Sequence, residues 1–102
     1  MKKVLVIGGN GFLGSILSEV LINRNYDVTI ADLYNSTSFN KFIKCDISED
    51  KDIDFIFNNH FDIVYNLAGI ASLDEAIENP IKTMELNFFS NIKIIQNSSI
   101  IQ

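Results

Sequence analysis

The residues with the clearest chemical potential lie near the start of the chain, in the run Gly8-Gly9-Asn10-Gly11-Phe12-Leu13-Gly14. An apolar segment at residues 4–7 precedes this run, and apolar residues at helical spacing follow it up to residue 21. A strand, a glycine-rich turn and a helix in this order can hold a pyrophosphate, because the helix presents unpaired N–H groups and the positive end of its dipole to the phosphates. The alternative interpretation is a tight turn that happens to be rich in glycine.

The glycines fit two spacings that are typical of dinucleotide-binding turns. Gly9, Gly11 and Gly14 give G-x-G-x-x-G, whereas Gly8, Gly11 and Gly14 give G-x-x-G-x-x-G. We expect Gly8 or Gly9 to adopt the backbone conformation that turns the chain sharply off the strand. We expect Gly11 to leave room for a phosphate beside the backbone, and Gly14 to let the helix pack close to the first strand.

An acidic residue follows the second apolar segment. Residues 28–31 end in Asp32, which comes roughly twenty residues after the glycines, where a carboxylate can reach the ribose hydroxyls of a dinucleotide. Such a carboxylate accepts two hydrogen bonds from a diol and repels a 2′-phosphate, so it favours NAD over NADP. The alternative interpretation is an ordinary aspartate in a turn.

Length and composition indicate one domain that covers residues 1–102, with 47% apolar residues. The net charge of −5 argues against nucleic acid or an acidic membrane surface as a partner. Cys45 is the only cysteine, which excludes an internal disulfide and fits a reducing cytoplasm. We predict no metal site, because His60 has no partners at metal-ligand spacing, and no membrane span.

The elements that position these residues alternate along the chain. Strands are predicted near residues 3–7, 27–31, 42–45 and 62–67. Helices are predicted near residues 12–24, 49–59, 73–78 and 80–97, the second capped by Ser48 and the last begun by Asn79-Pro80. This alternation predicts an α/β fold of the Rossmann type, a parallel sheet with helices on both faces. Right-handed crossovers give the strand order 3-2-1-4.

These motifs together resemble the N-terminal part of the extended short-chain dehydrogenase/reductase family, the NAD-dependent epimerase/dehydratase group. The resemblance extends over nearly the whole chain. Five matches come in the family's order: the glycine turn from Gly8 to Gly14, the stretch Asp32-Leu33-Tyr34-Asn35-Ser36 of members similar to UDP-glucose 4-epimerase, Cys45-Asp46-Ile47, Asn66-Leu67-Ala68-Gly69, and Asp74 to Pro80 followed by Asn87.

The resemblance implies a role for each matched residue. It implies that Gly8, Gly11, Phe12 and Leu13 surround the pyrophosphate, largely through the backbone, and that Gly14 belongs to the same cofactor-binding turn. It implies that Asp32 binds the adenosine ribose with Asn35 and Ser36 nearby, and that Asp46 and the Ile47 backbone contact adenine. It also implies that Leu67, Ala68 and Gly69 pass under the cofactor and that Asn87 lies near the catalytic centre. For Asp46 the alternative is a helix-capping aspartate. For Asn87 it is an ordinary polar residue on a helix.

The chain departs from the family in its catalytic residues. The family uses a Tyr-x-x-x-Lys pair, in which the tyrosine is the acid/base and the lysine lowers its pKa. Here Tyr26, Tyr34 and Tyr65 are followed four residues later by Ile30, Ser38 and Gly69. The chain also stops about where strand five should begin, so we expect an incomplete gene product, an isolated domain or the first piece of a split enzyme.

Three functional hypotheses follow. The first is the NAD-binding portion of a nucleotide-sugar epimerase, dehydratase or reductase, inactive by itself, with no catalytic residue of its own. The second is a module that binds or senses NAD without chemistry. The third is a structural piece that folds only with a partner chain.

The last strand and the last helix predict assembly. Strand four would form a bare parallel edge. The last helix carries a stripe of Ile81, Met84, Phe88, Ile92 and Ile95, with Leu86, Phe89 and Ile94 on its other sides. We therefore expect a homo-oligomer or a complex with a complementary chain.

Overall fold

The computed structural model describes residues 1–35, 41–68, 77–84, 87, 92, 94 and 95. Its centre is a parallel sheet of four strands: β1 (Lys3–Ile7), β2 (Asp27–Asp32), β3 (Phe42–Lys44) and β4 (Ile63–Asn66). The order across the sheet is β3-β2-β1-β4, which confirms the predicted order. The described helices are α1 (Phe12–Asn23), α2 (Asp50–Ile56) and α3 (Pro80–Met84).

The central strand β1 explains why helices cover both faces. Its apolar residues 4–7 are all buried, as expected for a strand in the middle of a parallel sheet. Val4 and Val6 point to one face, where they pack in a cluster with Leu21 of α1. Leu5 and Ile7 point to the other face, into a second cluster that holds Ile53 and Ile56 of α2, together with Cys45, Ile47 and Ile94. The α/β architecture with helices on both faces is thereby confirmed.

Helix α1 ends one residue before the predicted boundary, at Asn23. Asn25 adopts a left-handed conformation with φ of 66°. Its backbone N–H donates to the Ile22 carbonyl (3.0 Å), and the Tyr26 N–H donates to the Leu21 carbonyl (3.1 Å). Asparagine tolerates this conformation better than most residues, so it turns the chain from α1 into β2.

The predicted cap of the second helix was wrong. Glu49, not Ser48, occupies the N-cap position of α2, and it makes no side-chain capping bond. The Ser48 hydroxyl instead donates to Asp46 Oδ1 over 2.6 Å, which takes it away from the helix. Asp50 and Asp52 in the first turn supply the negative charge that suits the helix N-terminus.

The last predicted helix begins at Pro80, as expected. The Asn79 carbonyl accepts a bond from the Thr83 N–H (3.0 Å), the first bond of α3. Further along, Ile94 is buried, whereas Ile81 is 75% exposed. The predictions for residues 73–76, 86, 88 and 89 lie outside the described residues. No helix among the described residues has the length and apolar character needed to cross a bilayer.

Candidate functional site

A cavity of about 400 Å³ opens at the carboxyl edge of the sheet, where β1, β2 and β4 end. The connection from β3 to β4 crosses to the other side of β1, and such a switch in strand order leaves a crevice beyond the strand ends. The described residues that line it are Ile7, Gly8, Gly11, Ala31, Asp32, Leu33, Cys45, Asp46, Ile47, Ser48, Leu67, Ala68 and Lys82.

The glycine turn enters this cavity directly after β1. Gly8 has a φ of 79°, so it is the residue that needs the left-handed conformation. A Cβ on Gly8 would lie 2.8 Å from the backbone nitrogen of Ala68, which leaves no room for a side chain. Gly9 is required for a different reason, because a Cβ there would lie 2.6 Å from Cγ2 of Ile30 in β2. The structure thus separates two roles that the sequence left open between these glycines.

Gly11 lies at the N-cap of α1 and is exposed. Its φ of −71° and ψ of 174° are accessible to any residue, so its backbone does not require glycine. A Cβ there would meet only the Gly8 carbonyl oxygen, at 3.3 Å. Gly14, by contrast, is buried, and a Cβ on it would lie 2.8 Å from Cα of Gly9. The helix therefore packs against the turn just beyond β1 at Gly14, whereas Gly11 lines the cavity.

The Asp32 carboxylate at the end of β2 is held by two backbone donors. The N–H of Asn10 donates to Oδ2 over 3.0 Å, and the N–H of Leu33 donates to Oδ1 over 2.7 Å. Each oxygen keeps a second lone pair that can accept a further bond. Asp32 is thus an oriented acceptor at the rim of the cavity, in contact with the glycine turn.

Asp46 joins the cavity from the segment after β3. Its Oδ1 accepts bonds from the Ser48 N–H (3.0 Å) and the Ser48 hydroxyl (2.6 Å), while its own N–H donates to Asp52 Oδ2 (3.0 Å). These bonds form a local turn before α2, so Asp46 does not occupy the helix N-cap. The Ile47 side chain is buried beside it, and both residues line the cavity.

The segment after β4 lines the cavity on the side opposite Asp32 and Asp46. The Leu67 N–H donates to the Ile7 carbonyl (2.8 Å), and the Ala68 N–H donates to Asn66 Oδ1 (3.2 Å). These bonds hold Leu67 and Ala68 against the glycine turn, as the close approach of Gly8 to Ala68 requires.

Cys45 lines the floor of the cavity and is buried in the core. Burial, and then the nearby carboxylates of Asp52, Asp46 and Asp32, raise the pKa of its thiol to about 12. The thiol therefore stays protonated at neutral pH and acts as a small apolar surface rather than as a nucleophile.

The cavity brings together seven of the residues predicted for the site: Gly8, Gly11, Asp32, Asp46, Ile47, Leu67 and Ala68. Phe12 and Leu13 lie on the first turn of α1 with 86% and 61% of their surface exposed, and neither lines the cavity. Gly14, Asn35 and Asn87 do not line it either, and Ser36 and Gly69 lie outside the described residues. The roles of all these residues toward a cofactor stay predictions.

The structure adds lining residues that were not predicted for the site. Cys45 and Ser48 flank the predicted Asp46-Ile47 pair, so their position next to that motif was an available signal. Lys82 comes from α3 and is the one cationic side chain among the described lining residues. No local pattern marks it. His60 lies away from the cavity, with Nε2 3.1 Å from Asp62 Oδ1.

The sequence matches the family model described as "NAD dependent epimerase/dehydratase family" over residues 4–99. A UDP-N-acetyl-alpha-D-glucosaminuronate decarboxylase of Bacillus cytotoxicus is 32% identical over 93% of the chain and 32% of its own length.

Two solved structures extend the comparison. A UDP-glucose 4-epimerase of Thermus thermophilus, in complex with NAD, superposes with a TM-score of 0.81 at 25% identity, over 93% of the chain and 33% of that protein. A UDP-glucose 4-epimerase of Thermotoga maritima with UDP-glucose superposes with a TM-score of 0.84 at 27% identity, over 94% of the chain and 33% of that protein. The chain spans about a third of the length of these relatives.

Proposed function

Because the chain belongs to the NAD-dependent epimerase/dehydratase family, we propose that it forms the NAD-binding portion of an enzyme that acts on a nucleotide sugar as an epimerase, dehydratase or reductase. The observation that carries the proposal is the placement of the glycine turn and the oriented Asp32 carboxylate around one cavity. Gly11 lines the cavity at the N-terminus of α1, where a phosphate could approach the backbone N–H groups that a side chain at this position would obstruct.

Each part of the cofactor has a group that suits it. The N–H groups at the start of α1 would hold the pyrophosphate, with Phe12, Leu13 and Gly14 forming that turn. Asp32 would accept bonds from the adenosine ribose, with Asn35 and Ser36 near it. Asp46 and the Ile47 backbone would contact adenine, and Leu67, Ala68 and Gly69 would lie beneath the nicotinamide half, with Asn87 on that side. When bound, the nicotinamide ring supplies a hydride acceptor for the substrate.

The chemistry would depend on residues outside these 102. The sequence holds no Tyr-x-x-x-Lys pair, and the relatives are about three times as long as this chain. We therefore propose that the chain by itself binds NAD, that it turns over no nucleotide sugar, and that it works in the cytoplasm. The two named epimerases support nucleotide sugar as the substrate class of the whole enzyme.

Calorimetric titration of the 102-residue chain with NAD tests the proposal. We expect saturable binding, with no conversion of UDP-glucose in the presence of NAD. A folded chain that fails to bind NAD would overturn the proposed site, and turnover by purified chain would overturn the division between binding and catalysis.

The second candidate is a module that binds or senses NAD without chemistry. The 102 residues hold the proposed NAD site and no Tyr-x-x-x-Lys pair, which suits this candidate as well as the first. Coding sequence downstream in the same frame separates the two candidates, because the enzyme requires that pair there.

A further inference from the structure

We propose that Asn10 is a positioning residue that sets the preference of the site for NAD over NADP, acting through the Asp32 carboxylate. This inference rests on the proposed function. Asn10 lies in the middle of the glycine turn, and its backbone and its side chain bond different residues. The backbone N–H donates to Asp32 Oδ2 over 3.0 Å, and the side-chain Nδ2 donates to the carbonyl oxygen of Tyr34.

These two bonds join segments that are far apart in the sequence. Asp32 and Tyr34 follow Asn10 by 22 and 24 residues. Leu33 lies between them, and its N–H donates to the other oxygen of Asp32 over 2.7 Å. The carboxylate therefore has one donor on the glycine turn and one on the segment after β2. The Asn10 side chain fastens those two segments to each other.

The fixed carboxylate explains the expected preference. A 2′-phosphate brought to this ribose position would meet a negative charge that cannot rotate away without losing a charge-assisted hydrogen bond. A ribose diol would instead find two oriented oxygens, with little further loss of side-chain entropy on binding. Without the bond from the Asn10 side chain to Tyr34, the segment from Leu33 to Tyr34 is released and the Asp32 carboxylate can rotate away. The electrostatic repulsion of a 2′-phosphate then decreases.

The role belongs to the side chain of Asn10 rather than to its backbone conformation. Asn25 is the only non-glycine residue with a positive φ among the described residues, so Asn10 is not in the left-handed region. Its backbone is open to alanine or serine without strain. Either substitution keeps the N–H that bonds Asp32 and removes the amide that reaches Tyr34.

The experiment compares dissociation constants for NAD and NADP in the full chain and three variants. Asn10→Ala and Asn10→Ser each remove the amide. Asn59→Ala is the matched control, because Asn59 Nδ2 likewise donates to a backbone carbonyl, that of Ile56 (3.3 Å), and lies before β4 at the opposite edge of the sheet. Circular dichroism and thermal melting establish that each variant is folded.

In both Asn10 variants we expect the ratio of the NADP to the NAD dissociation constant to fall by about tenfold, with a smaller loss of NAD affinity. The control should keep the ratio of the parent chain. A general loss of stability would weaken both ligands equally and leave the ratio unchanged.

The outcomes separate this inference from the function on which it rests. A parent chain that binds neither dinucleotide overturns both. A parent chain that prefers NAD, together with an unchanged ratio in a folded Asn10→Ala or Asn10→Ser variant, overturns the role of Asn10 alone.

Discussion

The backbone N–H of Gly8 donates a 2.7 Å hydrogen bond to the carbonyl oxygen of Ala31, so the glycine turn is tied to β2 just past the last paired residues of the two strands. The same peptide unit turns through a positive φ at Gly8. The path of the turn is thus fixed by the backbone of Gly8, whereas Gly9 makes room for Ile30 and Gly11 lines the cavity. This division allows the site and the fold to be perturbed separately.

Gly11→Val should leave the chain folded and abolish NAD binding. Its backbone angles suit any residue, but a branched side chain would fill the space beside the start of α1. Gly8→Ala is the contrasting variant. The left-handed conformation alone should cost roughly 1–3 kcal/mol of unfolding free energy, before the clash with Ala68 is counted. Urea unfolding and calorimetric titration measure the two effects. Normal binding by folded Gly11→Val would place the pyrophosphate site elsewhere.

Asp32→Asn should reduce discrimination between the two cofactors. The neutral amide no longer repels a 2′-phosphate, and it can accept only one of the bonds that Asn10 and Leu33 now donate. We expect NAD affinity to fall by about tenfold and the ratio of the NADP to the NAD dissociation constant to move toward one. Parallel titrations with both dinucleotides give the answer. Equal or tighter binding of NADP by the unchanged chain would refute the role assigned to Asp32.

Ser18→Ala should stabilise the protein. Ser18 in α1 is 0% exposed, and its hydroxyl has no hydrogen-bond partner in the described part of the chain. Removing a buried, unsatisfied hydroxyl should raise the unfolding free energy by about 1 kcal/mol, helped by the helix propensity of alanine. Ser15→Ala is the matched control in the same helix, because the Ser15 hydroxyl is exposed and donates to the Phe12 carbonyl over 3.0 Å. A loss of stability in Ser18→Ala would mean that the hydroxyl has a partner.

The Cys45 thiol should make folding less favourable at alkaline pH. Burial raises its pKa from 9.0 to about 12, so the folded state keeps the proton that the unfolded state releases. The stabilising contribution is therefore complete below pH 9 and is lost as the pH rises toward 12. Chemical unfolding of the parent chain and of Cys45→Ala across this range isolates the contribution from the other titrating groups. Identical slopes for the two proteins would contradict it.

The purified chain should assemble into a dimer or larger species, or bind a complementary chain. Within the described residues β4 pairs only with β1, so its other edge has no neighbouring strand. Ile77 and Ile81 also expose 69% and 75% of their surface, so a second apolar region needs cover. Sedimentation velocity at micromolar concentration measures the assembly. A stable monomer whose β4 amides are protected from hydrogen exchange would be evidence that this edge is covered within the chain.

Local patterns predicted much of this fold for identifiable reasons. Strict alternation of apolar strands and helical segments determines a parallel sheet, and the continuous apolar run of β1 places it in the centre. The site residues at the ends of β1, β2 and β4 follow from the same topology, because parallel strands bring their carboxyl ends to one edge. Gly8 and Asp32 were predictable in this sense.

Other features depend on contacts that no local pattern records. The sequence could not choose between Gly8 and Gly9, because the answer lies in the approach of Ala68 to one and of Ile30 to the other. Ser48 has the residue type and position of a helix cap, but Asp46 takes its hydroxyl. Lys82 reaches the cavity from a helix that is distant in the sequence.

The contact between Gly9 and Ile30 has a mechanical consequence. Ile30 is a core side chain, 1% exposed, and the glycine turn rests directly on it. No intermediate layer separates the hydrophobic interior from the place where phosphates would be received. The branched side chain of Ile30 lies between the turn and β2, so its size determines the separation between them. A larger side chain at position 30 would push the turn away from β2 and a smaller one would let it approach, so a core residue sets the position of the proposed phosphate-binding turn.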